Sequence, residues 1–325
     1  MIYPDFIKKR ETIGICALSA GIGKKLAEYE ESIAVLNKEG YNIKETASVR
    51  INSPRSNTGN KRAKELDELI NDEDVKMIIE ATGGDYQSET LPYINFENIR
   101  RHPKWIMGYS DPTNLLFPVT TGLDIATLYG FNGASYTKEN KLDQLNNLNI
   151  IKGKLVKQES FEKCQSFIDI INDNEVYEDV YWKSSGPVKQ SGRCIGGCLD
   201  VITKLIGTKY DHISEFIERY KDDGIIWYFD IFALSSLDTY LSLLQMEYAG
   251  YFKYAKAVII GRIAFPRVDS KELDYKKAYK LALKKIPYVY ESDIGHTKPR
   301  ITMINGAMMD LDVKDGKGSI EFKLI

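Results

Sequence analysis

Between residues 12 and about 135, short apolar runs alternate with stretches of helical periodicity, and this alternation limits the fold more than any other feature of the chain. Runs at 12–19, 43–49, 75–81, 105–109 and 125–129 read as strands. Stretches at 22–38 and 61–70 read as helices, the first because Ile22, Leu26, Tyr29, Ile33 and Leu36 recur three or four apart. Strands that alternate with helices in this way form a parallel sheet covered by helices, so this half is expected to be α/β. In an open sheet of that kind, ligands bind beyond the carboxyl ends of the strands.

The pattern then changes. Residues 135–192 carry Asn- and Asp-rich pieces and no clean period, and read as an interdomain crossing plus a loop. From Gly192 onward, glycine turns, strand-like 224–229 and 257–263, and helices near 237–249 and 270–285 indicate a second, mixed α/β domain. A chain of 325 residues holds two domains of ordinary size. The expected division is 1–140 for the first domain, 141–190 for the crossing and 191–325 for the second. The lysines of 271–285 lie opposite Tyr and Leu and read as a solvated helix face.

Forty-four basic and 46 acidic residues leave a net charge of -2, which calls for neither a nucleic acid nor an anionic membrane as partner. A small ligand of neutral or mixed charge fits better. No run approaches the roughly 18 apolar residues of a membrane span, so the expectation is a soluble, cytoplasmic protein. Its four cysteines are too few for a disulfide scaffold and are expected to be reduced. Cys194 and Cys198 have no second Cys or His pair at zinc spacing, so no metal is expected. The loop Leu18-Ser-Ala-Gly-Ile-Gly-Lys-Lys25 resembles a nucleotide loop but lacks the first Gly and last Ser/Thr of a Walker A motif. It also has Leu26 where a dinucleotide fingerprint needs its third glycine, so it reads as a tight turn and no cofactor is expected.

The chemistry concentrates elsewhere. The strand 105–109 runs into Gly-Tyr-Ser110-Asp111, where a helix-like stretch begins. A serine in such a turn is lifted to the rim of the sheet beside helix-start amides, as a nucleophile must be; the plainer alternative is that Ser110 or Asp111 caps the helix. Serine needs a base. Of the three histidines, His102 lies in a polar turn before the Ser110 strand, and His212 reads as a helix-start residue. His296, in a polar loop after the strand-like 286–290, is left as the best base. Asp230 closes the apolar run Ile225-Ile-Trp-Tyr-Phe and is a candidate to orient that base, with capping of the next turn as an equal alternative.

Taken in order, Ile78-Ile-Glu-Ala-Thr-Gly83-Gly84-Asp-Tyr86, Gly108-Tyr-Ser110-Asp111, Cys194-Ile-Gly-Gly-Cys-Leu-Asp200, 225–230, 244–252 and Gly295-His296 resemble the serine carboxypeptidases that include LD-carboxypeptidases of murein recycling and microcin C self-immunity proteins. The likeness covers nearly the whole chain. It implies an N-terminal parallel-sheet sandwich of Rossmann or flavodoxin type with a C-terminal mixed α/β domain of swivelling β/β/α type. It also implies that Ser110 is the nucleophile, His296 the general base and Asp230 the acid that orients it, brought together from both domains. The oxyanion then falls to the backbone amides of Asp111 and of Gly83 or Gly84. Family members are typically homodimers.

Two departures stand out. The family usually has Glu where this chain has Asp230, and the shorter acid is expected to need a backbone shift or a water to approach His296. Where the family has Gly-Gly-Asn, this chain has Gly196-Gly197-Cys198. The resemblance leaves two substrate classes: a peptidyl-aminoacyl nucleotide, toward which the aromatic segment 176–186 leans, and a murein L,D-tetrapeptide. Trp182 is a candidate to stack on a nucleobase, with buried packing as its alternative. Lys298 and Arg300 are candidates to bind a substrate carboxylate, surface placement being the simpler reading. A catalytically weak or inactive binding module on the same fold is the contrasting possibility.

Overall fold

A computed structural model describes every residue of the chain except Lys24 and Asn140. Lys24 lies in the helix expected from residue 22, and Asn140 ends the expected first domain; both positions fall outside the described residues. The chain divides into two compact units, one of residues 1–154 with 302–305, the other of 155–301 with 306–325.

The first unit is a six-stranded sheet. Its parallel strands are β1 (Thr12–Cys16), β2 (Asn42–Glu45), β3 (Val75–Glu80), β4 (Trp105–Gly108) and β5 (Thr127–Tyr129). They lie in the order 2-1-3-4-5, the flavodoxin-like arrangement, and Met303–Asn305 adds an antiparallel edge beside β5. Among the helices, α1 (Leu26–Lys38) starts later than its periodicity suggests, because Gly23 holds a left-handed turn at φ 57°. Next, α2 (Gly59–Asn71) begins at Thr58, whose hydroxyl accepts the Lys61 amide, and buries Ala63, Leu66, Leu69 and Ile70 on one stripe. Then follow α3 (Phe96–Arg101), α4 (Thr113–Leu123) and α5 (Leu142–Ile151). The last of these shows that the first unit continues past the expected boundary at 140: Leu148, Ile150 and Ile151 are buried there, and Asn147 bonds Tyr136 and Thr302.

The residues expected as a crossing are thus divided between the units, 141–154 belonging to the first and 155–190 to the second. There β6 (Gln158–Glu159), β7 (Lys163–Cys164), α6 (Phe167–Ile171), β8 (Glu178–Asp179) and β9 (Lys183–Ser184) are too short to show a period in the sequence. The core of this unit is parallel: β10 (Val188–Cys198), β11 (Ile225–Asp230), β12 (Ala255–Gly261) and β13 (Tyr288–Ser292), separated by α7 (Leu199–Leu205), α8 (Ile213–Arg219), α9 (Ser236–Tyr248) and α10 (Tyr275–Leu283). After β14 (Met303–Asn305), which is the edge strand of the first sheet, the hairpin of β15 (Met308–Lys314) and β16 (Lys317–Lys323) extends the second sheet antiparallel to β10. Strand β11 is buried throughout, as a continuous apolar run requires of a central parallel strand. On α10, Ala278, Tyr279, Ala282 and Leu283 are buried while Lys276, Lys277 and Lys280 are exposed, the solvated lysine face expected.

Candidate active site

In the first unit, Ser110 lies between β4 and α4 with φ 72°, a left-handed conformation that costs a non-glycine residue of order 1–3 kcal/mol. Such strain marks a serine lifted out of a strand-to-helix turn. The turn is tied down around it: the Ser110 amide donates to the Tyr129 hydroxyl at 2.9 Å and the Tyr109 amide to Asn132 Oδ1 at 3.0 Å. The residue preceding α4 is Pro112, which makes no side-chain cap, while the Ser110 and Asp111 carbonyls accept the Thr113 and Asn114 amides of its first turn.

Asp111 has a different task. Its carboxylate is 4% exposed and accepts the Ser19 hydroxyl, the Gln87 amide at 2.9 Å and Asn114 Nδ2 at 2.7 Å. It thereby joins the segments that follow β1, β3 and β4, three neighbouring strands of one sheet. The Gly83–Gly84 turn lies in the same place. A Cβ on Gly83 would sit 3.4 Å from Ser110 Oγ, and one on Gly84, at φ 151°, would fall 2.5 Å from Ser19 Oγ, so a side chain at Gly84 has no room. Beneath the turn, Gln87 Nε2 donates to Glu80 Oε1 at 2.5 Å. Burial, with the Asp111 charge nearby, pushes the Glu80 carboxyl up to about 8, so it is largely protonated at neutral pH. Arg62, buried on α2, donates to the Leu18 carbonyl and pairs with Glu89.

In the second unit, Asp230 ends β11 fully buried, and His296 is 4% exposed. His296 Nδ1 lies 3.0 Å from Asp230 Oδ1 and 2.9 Å from Oδ2. The shorter acid thus reaches the imidazole by direct contact, and of the two expected routes, a backbone shift or a water, the water is not needed. Gly295 makes room for it: at φ 105°, a Cβ there would stand 2.0 Å from Asp230 Oδ1. The imidazole is walled by Phe232 and Phe167, with ring centroids 4.7 and 5.4 Å away. The loop carrying Phe232 is itself held by Asp200, whose carboxylate accepts the Phe232 and Ala233 amides at 2.9 Å each. Cys198, at the departure from Gly-Gly-Asn, is level with Asp230 on the adjacent strand, and burial pushes its thiol well up.

The remaining candidates fall as follows. Trp182 is 1% exposed, donates its indole N–H to Asp293 Oδ2 at 2.7 Å and packs its ring on Gly318, which is the buried alternative and leaves it no role as an exposed stacking platform. Arg300 is 4% exposed and so is not a surface residue, while Lys298 is partly exposed. His102 is exposed at the end of α3, and His212 precedes α8. Not anticipated at all were Ser19, Glu80 and Gln87 around Asp111, or Arg262 and Asp293, which form a buried ion pair. All of them close or follow strands or lie by glycine turns, positions that look purely structural in a sequence. Asp293, three residues before His296, carried the one available signal.

Residues 13–130 match the LD-carboxypeptidase N-terminal domain and 191–311 the LD-carboxypeptidase C-terminal domain. The chain is 27% identical over 281 residues to the microcin C7 self-immunity protein MccF of Escherichia coli, covering 82% of this chain and 79% of that one. The structure of MccF in complex with aspartyl sulfamoyl adenosine superposes with a TM-score of 0.84, 23% identity and full coverage of both chains. That of a muramoyltetrapeptide carboxypeptidase from Oxalobacter formigenes does so with 0.76 and 19%, covering 96% of this chain and 98% of the other. At these identities, both structures speak to the fold, which is the mixed α/β architecture expected.

Proposed function

The chain belongs to the LD-carboxypeptidase family, and from that premise we propose that it is a serine carboxypeptidase acting through Ser110, His296 and Asp230. The observation that carries this reading is the buried contact of Asp230 with His296 Nδ1. A carboxylate on Nδ1 fixes the tautomer and makes Nε2 the nitrogen that exchanges protons. In the proposed reaction, Nε2 takes the Ser110 proton as Oγ attacks an amide carbonyl, and returns it to the departing amine. Water then hydrolyses the acyl-enzyme by the same route. The amides of Asp111 and of Gly84 or Gly83 receive the oxyanion, each such donor being worth on the order of 100-fold to 1,000-fold in rate.

For the substrate, the match to MccF over 82% of the chain favours a peptidyl-aminoacyl nucleotide. The murein L,D-tetrapeptide is the second reading, supported by the fold shared with a muramoyltetrapeptide carboxypeptidase. The form assigned to it is a cytoplasmic homodimer, by analogy with the family. A fluorophosphonate probe tests the mechanism: wild type is expected to be labelled and Ser110→Ala not. Equal labelling of the two, or none of either, overturns the serine mechanism and leaves a binding module. Purified protein offered aspartyl sulfamoyl adenosine and an L,D-tetrapeptide separates the substrates, and release of D-alanine alone rejects the nucleotide.

A further inference from the structure

Arg262 follows the last residue of β12, its amide donating to the Ser292 carbonyl at 3.0 Å, and it is 6% exposed. Its Nη1 pairs with Asp293 Oδ1. Asp293 Oδ2 is already occupied by the Trp182 indole at 2.7 Å and the Phe161 amide at 2.9 Å, so Oδ1 alone faces the guanidinium, and it holds only one of its nitrogens. The other two, Nε and Nη2, are buried with no hydrogen-bond partner among the described residues. Those two N–H groups lie parallel along one edge of the guanidinium and match the two oxygens of a carboxylate. Buried donors left unpaired are costly and rare, and here they form a complete bidentate fork.

The fork belongs to the same sheet edge as the Asp230–His296 pair. Phe229 is level with Ile260 and Gly261 with Ser292, so Asp230, Arg262 and Asp293 succeed one another at the carboxyl ends of β11, β12 and β13. Neighbouring strands are about 4.8 Å apart. Resting on the carboxypeptidase reading above, we propose that Arg262 binds a carboxylate of the substrate through Nε and Nη2, with Asp293, Trp182 and Phe161 holding the guanidinium in place. It is a specificity-determining residue. The carboxylate has two possible sources, the C-terminus of a peptide or the side chain of an aspartyl nucleotide, and both present the same planar pair of oxygens.

Calorimetric binding to the full chain carrying Ser110→Ala reads this without turnover, so it stands or falls separately from the serine mechanism. One arm compares an L,D-tetrapeptide with its C-terminal amide; the other compares aspartyl with asparaginyl sulfamoyl adenosine. In one arm the acid is expected to bind on the order of 100-fold tighter than the amide, as a charge-assisted bidentate pair requires. Adding Arg262→Lys, which keeps the charge beside Asp293 but not the fork, is expected to reduce that ratio below about tenfold. Arg262→Gln with Asp293→Asn, which removes both buried charges together, must do the same and covers the case in which the lysine variant does not fold. Discrimination in the first arm assigns the terminal carboxylate and in the second the side-chain carboxylate. Discrimination in neither arm, or discrimination that survives the folded variants, overturns the assignment.

Discussion

Gly295→Ala is the sharpest test of the Asp230–His296 pair, because it changes neither residue. A Cβ at 295 would stand 2.0 Å from Asp230 Oδ1, whereas real Cβ contacts essentially never fall below 3.0 Å, so the carboxylate or the loop must yield by at least 3.0 − 2.0 = 1.0 Å. The Nδ1 contacts of 3.0 and 2.9 Å would then stretch to roughly 4 Å, beyond hydrogen-bond range. Alanine at φ 105° adds backbone strain of about 1–3 kcal/mol. Misplacement of a catalytic group by about 1 Å costs around 100-fold, and outright loss of the orienting carboxylate about 10,000-fold. The rate of fluorophosphonate labelling at Ser110 is therefore expected to fall by about 100- to 10,000-fold, or about 2.7 to 5.5 kcal/mol. If the effect runs through Asp230, the double variant Gly295→Ala/Asp230→Ala should label no more slowly than Asp230→Ala alone. Two results refute the reasoning: labelling of Gly295→Ala within about threefold of wild type, or losses that multiply in the double variant.

The first unit yields two more. Glu80 titrates near 8 in the folded chain against 4.5 when free, so between those values the folded state holds a proton that the unfolded state has released, and stability falls as pH rises. Replacing it by Gln should remove this slope: urea denaturation of wild type and Glu80→Gln is expected to diverge by about 3 kcal/mol between roughly pH 5 and 7.5, and parallel pH profiles would contradict it. Asp111→Ala strands the Gln87 amide, the Ser19 hydroxyl and the Asn114 side chain at about 1–3 kcal/mol each, so a loss of at least about 3 kcal/mol is expected by the same method. Ser110→Ala should stay within about 1 kcal/mol of wild type, and equal losses in the two variants would remove Asp111 from its bracing role.

What could be read from the residues alone divides along physical lines. The strands β1, β3, β4, β11 and β12 lie within or close to their expected runs, because burial on both faces demands continuous apolar residues and leaves a local signature. Segment 155–184 left none: its strands are two residues long, and they are held by partners far along the chain, as Trp182 is by Asp293 and Gly316. The candidate site splits in the same way. Ser110 was visible because an abrupt turn between two periodic elements is itself a sequence pattern, and His296 because histidines are scarce. Arg262 was hidden at the end of an apolar run, where a cation has no periodicity to break and only the lack of partners for its Nε and Nη2 among the described residues gives it meaning. An arginine with all its donors satisfied at that position would be a brace for Asp293 and nothing more. The unpaired fork is what makes it a receptor, and it becomes legible only once every other donor and acceptor around it has been accounted for.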